Sequence, residues 1–138
     1  MQTAAAADGN QLWFLRPSDV TERDIDLLLL EEFHSSADFR SHFIKLLEGL
    51  VAPGVHYLSG EHSVANSSGQ SDLEIAFLDS DGKKCRMLIE NKIAASFQPE
   101  QAQRYRKRGE LHIRTGICDR FVTVLVARAV YRDYTSWV

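Results

Sequence analysis

The chain has 138 residues, 44% of them hydrophobic and 25% charged, with 16 Lys and Arg against 19 Asp and Glu, a composition that fits one ordinary soluble domain. No run approaches the ~18 to 20 apolar residues of a membrane-crossing helix, since Leu27–Leu30 ends at Glu31. The amino terminus has neither the basic region nor the apolar stretch of a secretory leader, which predicts a cytoplasmic location without a membrane partner.

Residues 1–20 read as a flexible segment. Thr21-Glu22-Arg23-Asp24 fits a capping box, and Ile25, Leu28, Leu29 and Phe33 then follow helical spacing. Ser35-Ser36 interrupts the helix, after which Phe39, Phe43, Leu46, Leu47 and Leu50 define a second helix or a kinked continuation, ending near Gly49 and Pro53. Val55–His62, Asp72–Leu78 and Cys85–Ile93 read as strands, with Asn66–Ser71 as a polar loop and Asp79-Ser80-Asp81-Gly82 as a hairpin turn. A third helix follows, with Pro99 near its first turn, Arg106-Lys107-Arg108 at its end and Gly109 as its stop. Phe121–Ala127 is a continuous apolar, β-branched run, the pattern of a strand buried on both faces. The order is α, α, β, β, β, α, β.

The net charge of -3 hides a segregation. Seven acids and one base lie between Asp19 and Asp38, and nine bases and three acids between Lys83 and Arg114. Such a distribution permits a positive face on an acidic protein, although a charged stretch is also what a solvated face requires. Cys85 and Cys118 lack CxxC spacing and are expected as reduced core thiols. His34, His42, His56, His62 and His112 show no HxxxH or HxH spacing, so no zinc site is expected.

In Leu88–Ile93, alternation turns Glu90 and Lys92 to one face and Ile89, Asn91 and Ile93 to the other. Asp72, placed before the apolar run Leu73–Phe77, supplies a second carboxylate if the hairpin pairs in register. Two acids can hold a hard cation such as Mg²⁺, while a lysine positions water or neutralises developing charge. The alternative is an exposed salt bridge between Glu90 and Lys92. Gln101 and Tyr105 are four apart and share a helix face, where they either orient a water or phosphate near the Glu90 strand or simply pack helix on sheet. Arg104, Arg106, Lys107 and Arg108 can contact nucleic-acid phosphates, or can answer the helix dipole. Glu32 falls within the arc of Ile25, Leu28, Leu29 and Phe33, which makes it either a carboxylate directed at a site or a rim residue reaching solvent. Glu61, at the end of the first strand, is either an outer-shell carboxylate or an ordinary strand-end charge.

The ordered set of Asp72, a hairpin, Glu90-Asn91-Lys92 and a helix carrying Gln101-x-x-x-Tyr105 resembles the PD-(D/E)xK nuclease superfamily, in a bacterial and phage branch of mostly uncharacterised proteins. The resemblance covers about Thr21 to Ala127, and departs from the motif in having Ser71, not Pro, before the acid. It implies an α/β, restriction-endonuclease-like αβββαβ core with a mixed central sheet flanked by helices, spanning residues 21–138. It also implies a Mg²⁺-dependent nuclease (Mn²⁺ as substitute) acting on nucleic acid, DNA first. Asp72, Glu90 and the Asn91 carbonyl would be metal ligands, with Glu32 approaching the metal directly or through water, Lys92 catalytic, and Gln101 and Tyr105 supporting. The rival reading is a noncatalytic nucleic-acid- or protein-binding module on the same fold. A core of this kind commonly continues with a further helix and strand. The chain is therefore expected either to be the amino-terminal part of a longer protein or to complete its sheet with another chain segment or as a homodimer.

Overall fold

The computed structural model describes residues 21–47, 56–66, 69–92 and 100–127. Residues 1–20, Gly49, Leu50, Pro53, Val55, Ile93 and Pro99, on which expectations rest, lie outside them. The predicted element order is observed: α1 (Glu22–Ser35), α2 (Ala37–Leu46), β1 (His56–Asn66), β2 (Gly69–Leu78), β3 (Lys84–Lys92), α3 (Gln101–Arg114) and β4 (Arg120–Ala127). No described helix is long and apolar enough to cross a membrane.

The capping box forms as its spacing predicts: Asp24 N–H donates to Thr21 Oγ1 at 3.2 Å and Thr21 N–H to Asp24 Oδ2 at 2.8 Å. Ser36 separates two helices, closing α1 through its N–H on the Glu32 carbonyl (3.0 Å) and opening α2 by accepting from Phe39 N–H at 3.1 Å. The buried face of α1 is not the whole arc of Ile25, Leu28, Leu29 and Phe33, since Leu28 is 55% exposed. It runs through Asp26, Leu29, Leu30 and Phe33, where Phe33 and Asp26 are buried and the two leucines pack against the core. An acid thus occupies a position that spacing alone would give to an apolar residue.

The four strands form one sheet in the order β1-β2-β3-β4. β1 and β2 pair antiparallel, as do β2 and β3, whereas β4 returns parallel to β3 after the α3 crossover. The result is a mixed α/β sheet with helices on both faces. The Asp79–Gly82 turn is as read, with Asp79 Oδ1 accepting from the N–H groups of Asp81 and Lys83 and Gly82 at φ 75°. The polar stretch read as a loop is mostly strand: Asn66 pairs with Gly69, Ala65 with Gln70 and Val64 with Ser71. Backbone pairing with an adjacent strand overrides the low strand propensity of these residues.

Leu73, Ile75, Phe77, Cys85, Met87 and Ile89 form one sheet face and pack with Phe33 of α1 as the core. The alternate residues Asp72, Glu74, Leu88, Glu90 and Lys92 face α3. Both cysteines are free and buried, as expected, although Cys118 precedes β4 and is not within it. Gly109 does not stop α3, which continues to Arg114. A Cβ at Gly109 would lie 2.2 Å from the Phe121 ring, so the glycine serves close approach of helix to strand. β4 is likewise not buried on both faces. Phe121 to Val126 are half-buried, because β4 borders the described sheet and has a strand neighbour on one side only.

Candidate active site

The β2–β3 register pairs Leu73 with Ile89 and Glu74 with Leu88. One step further along the same antiparallel ladder sets Asp72 opposite Glu90, where side chains of facing residues come about 5 Å apart at Cβ. Glu90 and Lys92 are both buried, and Lys92 Nζ lies 3.2 Å from Glu90 Oε1. The pair is therefore not the exposed salt bridge that Glu-x-Lys ordinarily makes. From α3, Gln101 Nε2 donates to Glu90 Oε1 at 2.5 Å and the Tyr105 hydroxyl donates to Glu90 Oε2. The same hydroxyl accepts from Asp72 N–H at 3.2 Å, so Tyr105 spans both acidic strands. Asp72 Oδ2 accepts from Asn91 N–H at 3.0 Å. The residues singled out as Asp72, Glu90, Asn91, Lys92, Gln101 and Tyr105 are thus brought together.

Burial pushes the Glu90 carboxyl up to about 7, with the Asp72 charge adding to the effect and the bonds from Tyr105 and Lys92 opposing it. Burial and the facing Glu90 charge hold the Tyr105 phenol far above its ordinary value, so it stays a donor. Among the described residues no cluster of three or more His, Cys, Asp or Glu side chains could hold a metal ion. What the site does present is the two facing carboxylates, Asp72 and Glu90. These are hard oxygen donors, of the type that suits Mg²⁺ completed by water, and the raised Glu90 carboxyl marks a place where a cation would relieve negative charge.

The acid that α1 brings to this neighbourhood is Asp26, not Glu32. Glu32 lies six residues further along, about 9 Å in axial rise and turned onto another face. Asp26 Oδ1 accepts from Asn91 Nδ2 at 3.2 Å, and its Oδ2 lies 3.6 Å from His62 Nε2. Burial, then the charge of Asp72, raises the Asp26 carboxyl to about 6. Glu61 is exposed and stands opposite Glu74, two residues from Asp72 in register, so the strand pairing sets it beside a different cluster.

That cluster corrects the reading of Arg108 as a phosphate contact. Arg108 is 1% exposed and donates through Nε (3.0 Å) and Nη2 (2.7 Å) to Glu74 Oε2. His112 Nε2 and Arg86 Nη1 reach the other oxygen at 2.7 and 3.3 Å. Burial would raise the Glu74 carboxyl, yet Arg108 and His112 outweigh it and hold it below its ordinary value. The signal for this role is periodicity: Gln101, Tyr105, Arg108 and His112 recur at four, three and four, one ridge of the helix. At 100° per residue, Arg104 and Lys107 share one flank of that ridge and Arg106 lies on the other. Arg104 and Lys107 are exposed and Arg106 is half-buried.

Compared with protein-family models, with curated proteins and with solved structures, the chain matches none.

Proposed function

We propose that the chain is a metal-dependent nuclease of PD-(D/E)xK type, with a restriction-endonuclease-like core, that hydrolyses phosphodiester bonds in nucleic acid, with DNA as the favoured substrate. The observation that carries the reading is Glu90: a buried carboxylate facing Asp72, bonded to Lys92 on its own strand and to Gln101 and Tyr105 on α3. A buried ion pair of this kind is no general aid to stability, and burial of several polar groups around one acid is typical of sites kept for chemistry.

In this reading Asp72, Glu90 and the Asn91 carbonyl hold Mg²⁺, which Mn²⁺ can replace, and which when bound polarises the phosphate and acidifies water. Lys92 sets a positive charge beside Glu90, where it neutralises charge developing on the phosphate and orients the attacking water. Gln101 and Tyr105 fix the Glu90 carboxylate by one bond to each oxygen, so that its remaining lone pairs keep one direction. Arg104 and Lys107, exposed on one flank of α3, supply contacts to the nucleic-acid backbone. Sheet completion by a further segment or a second copy, and a cytoplasmic location, belong to the same proposal.

The test is hydrolysis of DNA by the purified chain with Mg²⁺ or Mn²⁺, its loss on chelation and its loss in Asp72→Asn. Metal-independent binding to DNA with no cleavage by the wild type would replace this reading with that of a binding module.

A further inference from the structure

Asn91 is held from two sides. Its side-chain amide donates to Asp26 Oδ1 at 3.2 Å and to the Glu22 carbonyl at 3.1 Å, both on α1, while its main-chain N–H donates to Asp72 Oδ2 at 3.0 Å. Since successive side chains of a strand point to opposite faces, the Asn91 side chain reaches α1 on the face away from Glu90 and Lys92. The chain of contacts runs from His62 to Asp26, through the Asn91 amide and peptide, to Asp72.

We infer that Asp26 is a positioning residue for the site: it holds the Asn91 peptide through the side-chain amide, and so sets Asp72 and the Asn91 carbonyl, without itself being a metal ligand. Each Asp26 oxygen already has a protein neighbour, Asn91 on one and His62 on the other. Among the described residues Asp26 does not join Asp72 and Glu90 in a three-acid metal cluster. The acid also stands on the buried face of α1 with Leu29, Leu30 and Phe33, where a carboxylate is costly unless its oxygens are partnered. Its two partners, Asn91 and His62, are what offset the cost of placing it there.

The inference rests on the metal-site reading above, and the experiment separates the two. Mn²⁺ binding is measured by calorimetry on the full chain as wild type, Asp26→Asn, Asp26→Leu, Asn91→Ala and Asp72→Asn, together with cleavage rates and the proton shift of the Asn91 main-chain amide in metal-free protein. Asp26→Asn keeps an acceptor oxygen for Asn91 but no charge, so it should bind Mn²⁺ within about twofold of wild type and leave the amide shift in place. Asp26→Leu should move that shift and weaken Mn²⁺ by about 10- to 100-fold, the usual effect of removing support behind a ligand. Asn91→Ala should show the same loss of affinity, and the Asp26→Leu, Asn91→Ala double variant no more than either alone. Should Asp26→Leu not fold, Asp26→Asn and Asn91→Ala still decide the matter. If Asp26→Asn loses as much affinity as Asp72→Asn, Asp26 is a ligand and the inference is overturned. Asn91→Ala with wild-type affinity overturns it as well. A wild type that binds no Mn²⁺ removes the metal-site reading underneath, an outcome visible before any variant is compared.

Discussion

Arg108 directs two nitrogens of its guanidinium at a single oxygen of Glu74, at 2.7 and 3.0 Å, with both side chains out of contact with solvent. The Glu74 carboxylate is thereby satisfied by cations, Arg108 and Arg86, whereas Glu90, on the same sheet face and facing the same helix ridge, receives neutral donors from that helix. Arg108→Met should therefore lower stability by about 3–5 kcal/mol, the effect of stranding one partner of a buried pair. Arg108→Met together with Glu74→Leu should recover much of it. Urea unfolding of the set measures this, and a single-variant loss below about 1 kcal/mol would return Arg108 to the surface.

Lys92→Ala should reduce DNA cleavage by at least about 100-fold while Mn²⁺ still binds, because the ammonium acts on the reacting charge and competes with, rather than joins, the cation on Glu90. Asp72→Asn should instead weaken Mn²⁺ itself. Calorimetry and single-turnover cleavage on the same preparations tell the two apart; equal turnover by Lys92→Ala and wild type would remove Lys92 from the mechanism.

In metal-free protein, stability should fall as pH rises from about 4.5 through about 7. The Glu90 carboxyl moves from 4.5 to about 7 on folding, so the native state binds the proton more tightly than the unfolded chain throughout that window. Asp26, raised from 3.8 to about 6, acts in the same direction. Thermal unfolding across this range should show a shallower fall for Glu90→Gln, and saturating Mg²⁺ should flatten the wild-type curve. A metal-free wild type that gains stability over this range relative to Glu90→Gln would contradict the assignment.

Binding of duplex DNA should lose about 0.9 from its log-log salt slope for each of Arg104→Gln and Lys107→Gln. Titrations at several salt concentrations give the slopes, and an unchanged slope in the double variant would place the binding face elsewhere.

Much of the site was legible because its geometry is local. Strand alternation puts Glu90 and Lys92 on one face, a four-residue step puts Gln101 and Tyr105 on one helix flank, and the hairpin turn brings Asp72 opposite Glu90. What was not legible depends on partners far apart in the chain. Asp26 looks like one more solvated acid until Asn91 and His62 are beside it. The arc through Leu28 looked apolar because leucine is apolar, although that leucine faces water. Arg108 sits among bases that are partly or fully exposed; its place on the ridge of Gln101, Tyr105 and His112 turns it inward, but the partner that holds it, Glu74, lies 34 residues earlier. The strand pairing of Asn66 with Gly69 likewise owes nothing to residue propensity.

Gly109→Ala should destabilise the fold although alanine favours a helix by about 1 kcal/mol. The added methyl would meet the Phe121 ring, and overfilling of this kind costs about 1–3 kcal/mol. Thermal unfolding of Gly109→Ala with and without Phe121→Ala tests the contact: the second change should make the alanine tolerable.

The Phe121 contact also bears on how the site comes into being. A helix docked one turn out of place would shift by about 5.4 Å, presenting a bulkier residue to the Phe121 ring and withdrawing Arg108 and His112 from Glu74. Such a misdocked state is penalised twice, by collision and by a buried acid that loses both helix partners and keeps only Arg86. Gln101 and Tyr105 travel on the same rigid rod, so Glu90 acquires its two helix donors only in the arrangement that also pairs Arg108 with Glu74. The hairpin alone sets Asp72, Glu90 and Lys92 together, and final docking of α3 is the step that fixes the Glu90 carboxylate through Gln101 and Tyr105.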